Sequence, residues 1–478
     1  MDNKKVINNL IWRMLERVGA QGVTFVVSII LARLLDPSVY GTVALVTVFT
    51  AILQVFVDSG LGMALIQKKD VDDLDYSSVF YTNLIICVLL YLGIFFFAPV
   101  IAVFYGIYEL TPVIRVMSLT LIVSGVKNVQ QAYVSRNLIF KKFFFSTLGG
   151  TVGAAIIGIL LAYKGFGVWA LVMQNLFNVT VDTIILWITV KWRPKRLFSW
   201  KRLKRLYSFG WKIFVASLLE TIYQDLRSLI IGKVYTTTDL AHYNRGKQFP
   251  ALIATNMNIS IDSVLFPTMS QQQDNIQRLK DMTRRAIKTG SYLMTPMLVG
   301  LAMCSEAIVR VLLTDKWLPC VPYMRIFCII FMLYPINTAN LNAIRALGRS
   351  DLTLKLGIIK KIIGLTMLFC TIKFGVLTIA YGELFAGLIG PVVNAWPNKK
   401  LLNYSYTEQI KDIIPNFFVS LFMGGVVYMI SKIPISMHII LLLQIIVGVA
   451  FYLAVSVIVK NESFEYVLNT IKKYKSKN

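Results

Sequence analysis

Apolar segments near the ~20 residues needed to cross a bilayer recur about fourteen times along this chain. Their centres fall near Val23, Ile52, Leu90, Thr120, Ile156, Val179, Leu219, Asn258, Met303, Met332, Leu365, Leu388, Leu421 and Val447. The break KFGV between the pair near Leu365 and Leu388 is short, so the count can shift by about one or two. Of 478 residues, 56% are hydrophobic and only 15% charged, where a soluble chain carries about 25% charged residues. An all-α polytopic membrane protein is predicted, rather than a globular protein with an anchor.

A formal net charge of +25 would suit a nucleic-acid binder, but the basic residues are sorted. With the N-terminus placed inside, inner segments hold 31 Lys and Arg, outer segments 8, and 10 lie within spans. Inner clusters include Lys68 and Lys69, eight residues from Lys191 to Arg205, and five from Arg278 to Lys288. This bias assigns both termini to the cytoplasm, and no nucleic acid is expected as a partner. The first apolar run contains Arg13, Glu16 and Arg17 and leads straight into more spans, so no cleavable signal peptide is expected.

Nothing points to catalysis. Cys87, Cys304, Cys320, Cys328 and Cys370 lack CxxC spacing and read as small buried hydrophobes. The two histidines are far apart, and no HExxH, GxSxG or P-loop pattern occurs. All loops are short, which leaves no place for the large outer domain of a membrane glycosyltransferase. The outer acids Asp36, Glu109, Asp239 and Asp315 are widely separated. An enzyme is therefore not expected, and neither is a cofactor or metal.

The chain reads as built twice. LARLLDPSVYGTVALVTVFTAILQVFVDSG in the first half matches IIGKVYTTTDLAHYNRGKQFPALIATNMNISIDS in the second. Each is a span, a short outer link ending at Tyr40 or Tyr243, and a span with one acid near its inner end, Asp58 or Asp262. Both halves begin inside, so the repeat is parallel, and transporters of this construction place substrate between the halves. The predicted parts are 1–190, a six-helix bundle; 191–207, a basic amphipathic linker; 208–400, a second bundle; 401–460, two further spans; and 461–478, a basic cytoplasmic tail. In the linker, Leu197, Trp200, Leu203 and Tyr207 share one helix face, and the basic residues elsewhere suit anionic membrane lipids.

SLLETIYQDLRSLIIGKV, Ser217 to Val234, poses the functional question, because Glu220, Asp225 and Arg227 sit inside a span. Glu220 and Arg227 are seven apart and share a face, while Asp225 points elsewhere. Polar stripes at helical period recur: Arg13, Arg17 and Gln21; Gln54 and Asp58; Asn178 and Asp182; Asn258 and Asp262. Asn, Gln, Ser and Thr commonly glue helices together. An intramembrane charge is a functional candidate, because it costs at least ~2.5–3.5 kcal/mol without a cavity or partner. Arg13, Arg17, Lys212, Arg227, Lys127 and Lys360 are candidates to bind a substrate diphosphate, with Arg115 and Lys361 adding basic charge. Asp58, Glu220, Asp225, Asp262 and Asp182 are candidate coupling-ion or gating groups.

ARLLDPSVYGTVALVTVF, DSGLGMALIQKKDVDDLDYSSVFYTNL, HYNRGKQFP, VLFPTMSQQQDN, LLTDKWLPCVPYMRIF and ALGRSDLTLKLGIIKK, in that order, resemble the Wzx-like polysaccharide exporters. These are flippases of the multidrug/oligosaccharidyl-lipid/polysaccharide superfamily. The resemblance covers about Asn8 to about Asn398 and is thin in the last two spans. It implies a MATE-like fold of two six-helix bundles in a V plus two trailing helices, in a bacterial inner membrane. It implies export of an undecaprenyl-diphosphate-linked oligosaccharide by alternating access on a cation gradient, with the polysaccharide polymerase machinery as a candidate partner. A multidrug cation antiporter of the same superfamily and a peptidoglycan-precursor flippase are the alternatives.

Overall fold

A computed structural model describes the backbone of residues 3–58 and 60–475, and the side chains of 12–58, 60–208, 210–470 and Lys472. Every element among the described residues is helical. The chain forms two compact units, Met1–Ala241 and His242–Asn478.

Unit 1 runs through α1 (Asn3–Leu34), α2 (Pro37–Asp58), the short α3 (Leu61–Gln67), α4 (Asp73–Tyr105), α5 (Leu110–Met117), α6 (Leu119–Arg136), α7 (Lys141–Tyr163), α8 (Val168–Thr189) and α9 (Trp200–Val234). Apolar burial gains little inside lipid, so these helices associate by close packing. The α7 glycines show it: a Cβ at Gly150, Gly153 or Gly158 would meet Asn178, Phe177 or Gln174 of α8 at 2.8–3.0 Å. α4 begins with a reciprocal capping box between Asp72 and Asp75, which satisfies two otherwise orphaned N–H groups.

α10 (Thr237–Ser270) leads into unit 2, followed by α11 (Ile276–Met303) and α12 (Ser305–Ile308). A π-turn (Val309–Leu313) and a 3-10 segment (Asp315–Cys320) precede α13 (Val321–Met332) and α14 (Tyr334–Ala346). The unit ends with α15 (Ser350–Thr371), α16 (Val376–Leu401), α17 (Tyr406–Ile430), α18 (Met437–Ile458) and α19 (Glu462–Lys475). Its polar interior joins Asn340, Asn398 and Gln409, all buried, with Asn398 Nδ2 donating to Asn340 Oδ1 at 2.6 Å and Asn340 Nδ2 to Gln409 Oε1 at 2.7 Å.

Among the described residues, 11 helices are long and apolar enough to cross a membrane, or 12 if the bent pair Ile276–Met303 and Ser305–Leu313 forms one span. The chain is a multi-pass membrane protein. The predicted segments near Leu219 and Leu365 are helices too, α9 and α15, but they fall short because each carries several charges. The predicted centre at Met303 is misplaced. That residue ends α11, where the axis turns by 67°.

The two segments read as a repeat have turns of equal length. α1 and α2, and again α9 and α10, are separated by two residues, 35–36 and 235–236. The predicted outer links are therefore shorter than expected: Tyr40 already lies in the first turn of α2 and Tyr243 in the second turn of α10.

The linker departs from expectation. Residues 191–199 are not helical, and 200–207 are the opening turns of the continuous α9. The residue before a proline disfavours the helical region, and Arg193–Pro194 sits in the middle of this strap. Its hydrogen bonds come from unit 1 instead. Ser77 Oγ accepts from Lys195 N at 3.0 Å and Ser78 Oγ from Ser199 N at 2.9 Å. Gln130 Nε2 donates to Trp192 O at 3.0 Å, and Trp192 Nε1 to Asp73 Oδ1 at 3.2 Å. Leu203 is buried, whereas Leu197, Trp200 and Tyr207 are exposed, so the four do not form one buried face. The tail also holds a helix, α19, tied back where Lys288 meets Glu462 at 2.6 Å.

Candidate functional site

Several intramembrane charges of unit 1 are built into polar contacts. On α6, Lys127 Nζ donates to Asp182 Oδ2 of α8 at 2.9 Å, the two side chains being 14% and 13% exposed. One residue on, Asn128 Nδ2 donates to Asp58 Oδ1 of α2 at 3.2 Å and accepts from Asn83 of α4 at 3.4 Å. Gln54, one turn before Asp58, also faces that carboxylate at 3.4 Å. Lys127 was predicted for substrate and Asp182 for the coupling ion; the structure places them together as one pair. A pair is how α6 and α8 hold charge within a span at acceptable cost.

α1 carries the next cluster. Arg13 pairs with Glu16 at 2.6 Å, and its guanidinium lies 5.2 Å from the Phe143 ring centroid. Glu16 also accepts from Thr147 of α7 at 3.2 Å. Arg17 lies exposed on the same helix. On α9, Lys212 and Glu220 are exposed, and Glu220 accepts from Gln224 at 2.8 Å. Asp225 is half-buried. Arg227 is only 7% exposed, with its guanidinium 5.6 Å from the Tyr223 ring centroid. Arg115 sits on the short α5, stacked 4.2 Å from the Phe95 ring and donating to Phe95 O at 3.1 Å. That contact occupies its guanidinium.

Unit 2 repeats one feature of unit 1. Asp262 on α10 accepts from Asn342 on α14, as Asp58 on α2 accepts from Asn128 on α6. Beside it, Thr338 donates to Asn258 at 2.9 Å. Lys360 is half-buried on α15, and Lys361 follows it. A Cβ at Gly390 of α16 would lie 3.9 Å from both the Lys360 stem and Asn337 Oδ1.

One cluster escaped the sequence reading. Tyr243, fully buried, donates to Glu383 of α16, and Lys247 meets the same carboxylate at 3.2 Å. Its signal was present: Glu383 is the single acid in the apolar run VLTIAYGELFAGLIG. Lys247, one of the eight basic residues assigned to the outer side, lies on α10.

Comparison with known proteins decides the family. A model described as polysaccharide biosynthesis protein matches residues 30–322, more than half of the chain. The chain belongs to that polysaccharide biosynthesis family. A second model, the lipid II flippase MurJ, matches residues 241–448. The succinoglycan biosynthesis transport protein ExoT of Rhizobium meliloti is 28% identical over 315 residues, which cover 66% of this chain and 64% of that relative. The chain thus matches just under two thirds of that relative's length.

The fold is shared more widely. A solved structure of the lipid II flippase MurJ, in an inward closed conformation, superposes with a TM-score of 0.75 at 17% identity, covering 95% of this chain and 99% of that one. An inward-facing multidrug resistance MATE family transporter of the MOP superfamily reaches 0.63 at 16% identity, covering 82% and 99%. The polysaccharide biosynthesis protein described here therefore has a MurJ- and MATE-like helical fold.

Proposed function

We propose that the protein moves an undecaprenyl-diphosphate-linked oligosaccharide repeat unit from the cytoplasmic to the outer leaflet for surface polysaccharide assembly. The observation that carries this reading is basic charge enclosed among the helices of a polysaccharide biosynthesis family member, above all the buried Arg227 of α9 and the Lys127–Asp182 pair. Guanidinium and ammonium groups recognise phosphate oxygens, so the diphosphate is the part of the cargo they would meet. Arg13, Arg17, Lys212 and Lys360 extend that lining in this reading.

The scaffold is two six-helix bundles, 1–190 and 208–400, with two further spans at 401–460 and both termini cytoplasmic. Alternating access moves the headgroup, and a cation gradient drives the cycle. Asp58 and Asp262, each held by an asparagine of the same unit, are the coupling or gating groups.

The test is a deletion strain, with lipid-linked oligosaccharides quantified by mass spectrometry and surface polymer assayed in parallel. Accumulated repeat units with lost polymer support the reading and identify the sugar. Unchanged intermediates and an intact surface overturn it. The MurJ model match over 241–448 favours one second reading, a peptidoglycan-precursor flippase. It predicts a growth arrest on depletion, which loss of a surface polymer alone does not cause.

A further inference from the structure

At the end of unit 1 that carries its clustered basic residues, the α3–α4 turn, the end of α6 and the first turns of α9 surround an open cavity of about 790 Å³. That volume suits a small polar group with its attachments. Lys68, Lys69, Arg136, Arg202 and Arg205 line it, against the carboxylates of Asp70 and Asp72.

Three of the five cations have partners in place. Arg136 donates to the carbonyls of Leu65 at 2.9 Å and Ile66 at 3.2 Å, closing the end of α3. Lys68 pairs with Asp75, and Arg202 with Asp72. Lys69 and Arg205 are exposed and make no ion pair among the described residues. The cavity therefore keeps two uncommitted cations beside a committed set, which is an anion site by charge.

Its surroundings indicate the source of the anion. On α9, Leu203 and Leu206 are buried in unit 1, whereas Trp200, Tyr207 and Trp211 are 69%, 44% and 46% exposed. Exposed Trp and Tyr at the end of a membrane helix mark the headgroup level of a bilayer. A phosphate there belongs to a lipid more readily than to the bulk solution. We propose that this cavity binds the phosphate headgroup of an anionic phospholipid, with Lys69 and Arg205 as its direct contacts and Arg202 shared with Asp72.

Native mass spectrometry of the full-length protein in mild detergent tests this, with phosphatidylglycerol, phosphatidylcholine and inorganic diphosphate as probes. The wild type should prefer phosphatidylglycerol over phosphatidylcholine, and Lys69→Gln with Arg205→Gln should weaken phosphatidylglycerol binding by about five-fold per charge. The charge-preserving pair Lys69→Arg with Arg205→Lys should keep the preference, which separates a binding defect from a folding defect. Equal affinity for the two lipids, or a preference that survives the glutamine pair, overturns the proposal. Binding of inorganic diphosphate with no lipid preference overturns it in favour of a soluble anion. The readout is lipid binding rather than export, so its failure leaves the transport reading standing.

Discussion

Asn128 Nδ2 donates to Asp58 Oδ1 at 3.2 Å, and Asn342 donates to Asp262 in the same way. The acids lie on α2 and α10, each the helix after a two-residue turn, and the asparagines on α6 and α14. An amide can hold a carboxylate in place without neutralising it, which leaves the acid able to bind a cation or a proton. Asp58→Asn and Asp262→Asn keep a polar group of the same shape and remove only that capacity. Each should lower export at least about ten-fold, while stability stays within about 1 kcal/mol. Surface polymer measured against protein abundance in the membrane checks both halves of the statement. Full export by both variants would remove the two acids from the coupling role.

The Lys127–Asp182 pair makes a different prediction, because both partners are charged and mostly buried. Removing one leaves the other stranded, which should cost on the order of 3 kcal/mol. Lys127→Met and Asp182→Leu should each lower the thermal unfolding midpoint in detergent, and the double variant should recover most of it. If Lys127 also meets substrate, the double variant regains stability but not export. Recovery of both would make the pair structural only.

Most of the spans were legible because apolar length is a local signal, and the acids Asp58 and Asp262 stand out at matching places in two similar segments. Their partners were not legible. Asn128 is 70 residues from Asp58, and Asn342 is 80 from Asp262. A stripe on one helix says nothing about which neighbour faces it. The linker failed for the same reason. Its composition suits a lipid-facing helix, but the conformation of 191–199 is set by Ser77, Ser78 and Asp73 at the start of α4, more than 100 residues earlier. The bend at Met303 has no proline at the break, Pro296 lying about two turns earlier.

That strap can be tested at Trp192. The residue is 7% exposed and packs against Tyr76 and Phe80, with ring centroids 5.5 and 6.4 Å away. Trp192→Ala should cost about 3–5 kcal/mol locally and free the basic strap, so trypsin should cut between Lys191 and Arg205 several-fold faster.

Acid should act on the same strap late. Burial pushes the Asp72 carboxyl up, but hydrogen bonds from Arg202 and from the α4 capping box outweigh it and hold the group below its ordinary 3.8. A lowered carboxyl pKa stabilises fully above the unfolded value and is lost as pH falls through the folded one. The contribution of Asp72 should therefore persist to about pH 4 and disappear only below it. Tryptic accessibility scored after brief acid exposure would show release near neutrality if this pair were not holding.

Gly60 gives a backbone prediction. It caps α3 with φ +68°, and a Cβ there would fall 2.4 Å from the Gly210 carbonyl oxygen of α9. Alanine meets both a left-handed backbone penalty of about 1–2 kcal/mol and a clash with main chain that has no rotamer to relieve it. Gly60→Ala should destabilise by about 2–4 kcal/mol. A thermal midpoint unchanged from wild type would show that α3 and α9 separate here at little cost.

Arg227 tests the functional reading most directly. It is the most enclosed of the candidate basic residues, 7% exposed on α9 and set over the Tyr223 ring. Arg227→Ala should abolish export, with lipid-linked repeat units accumulating, while the protein remains inserted at near wild-type abundance. Arg227→Lys keeps the charge but loses the planar fork that donates to two phosphate oxygens together, so partial export is expected. A purely structural arginine would give the opposite pattern, with abundance falling in the alanine variant and export per molecule unchanged. Quantifying export against membrane abundance for both variants separates the two.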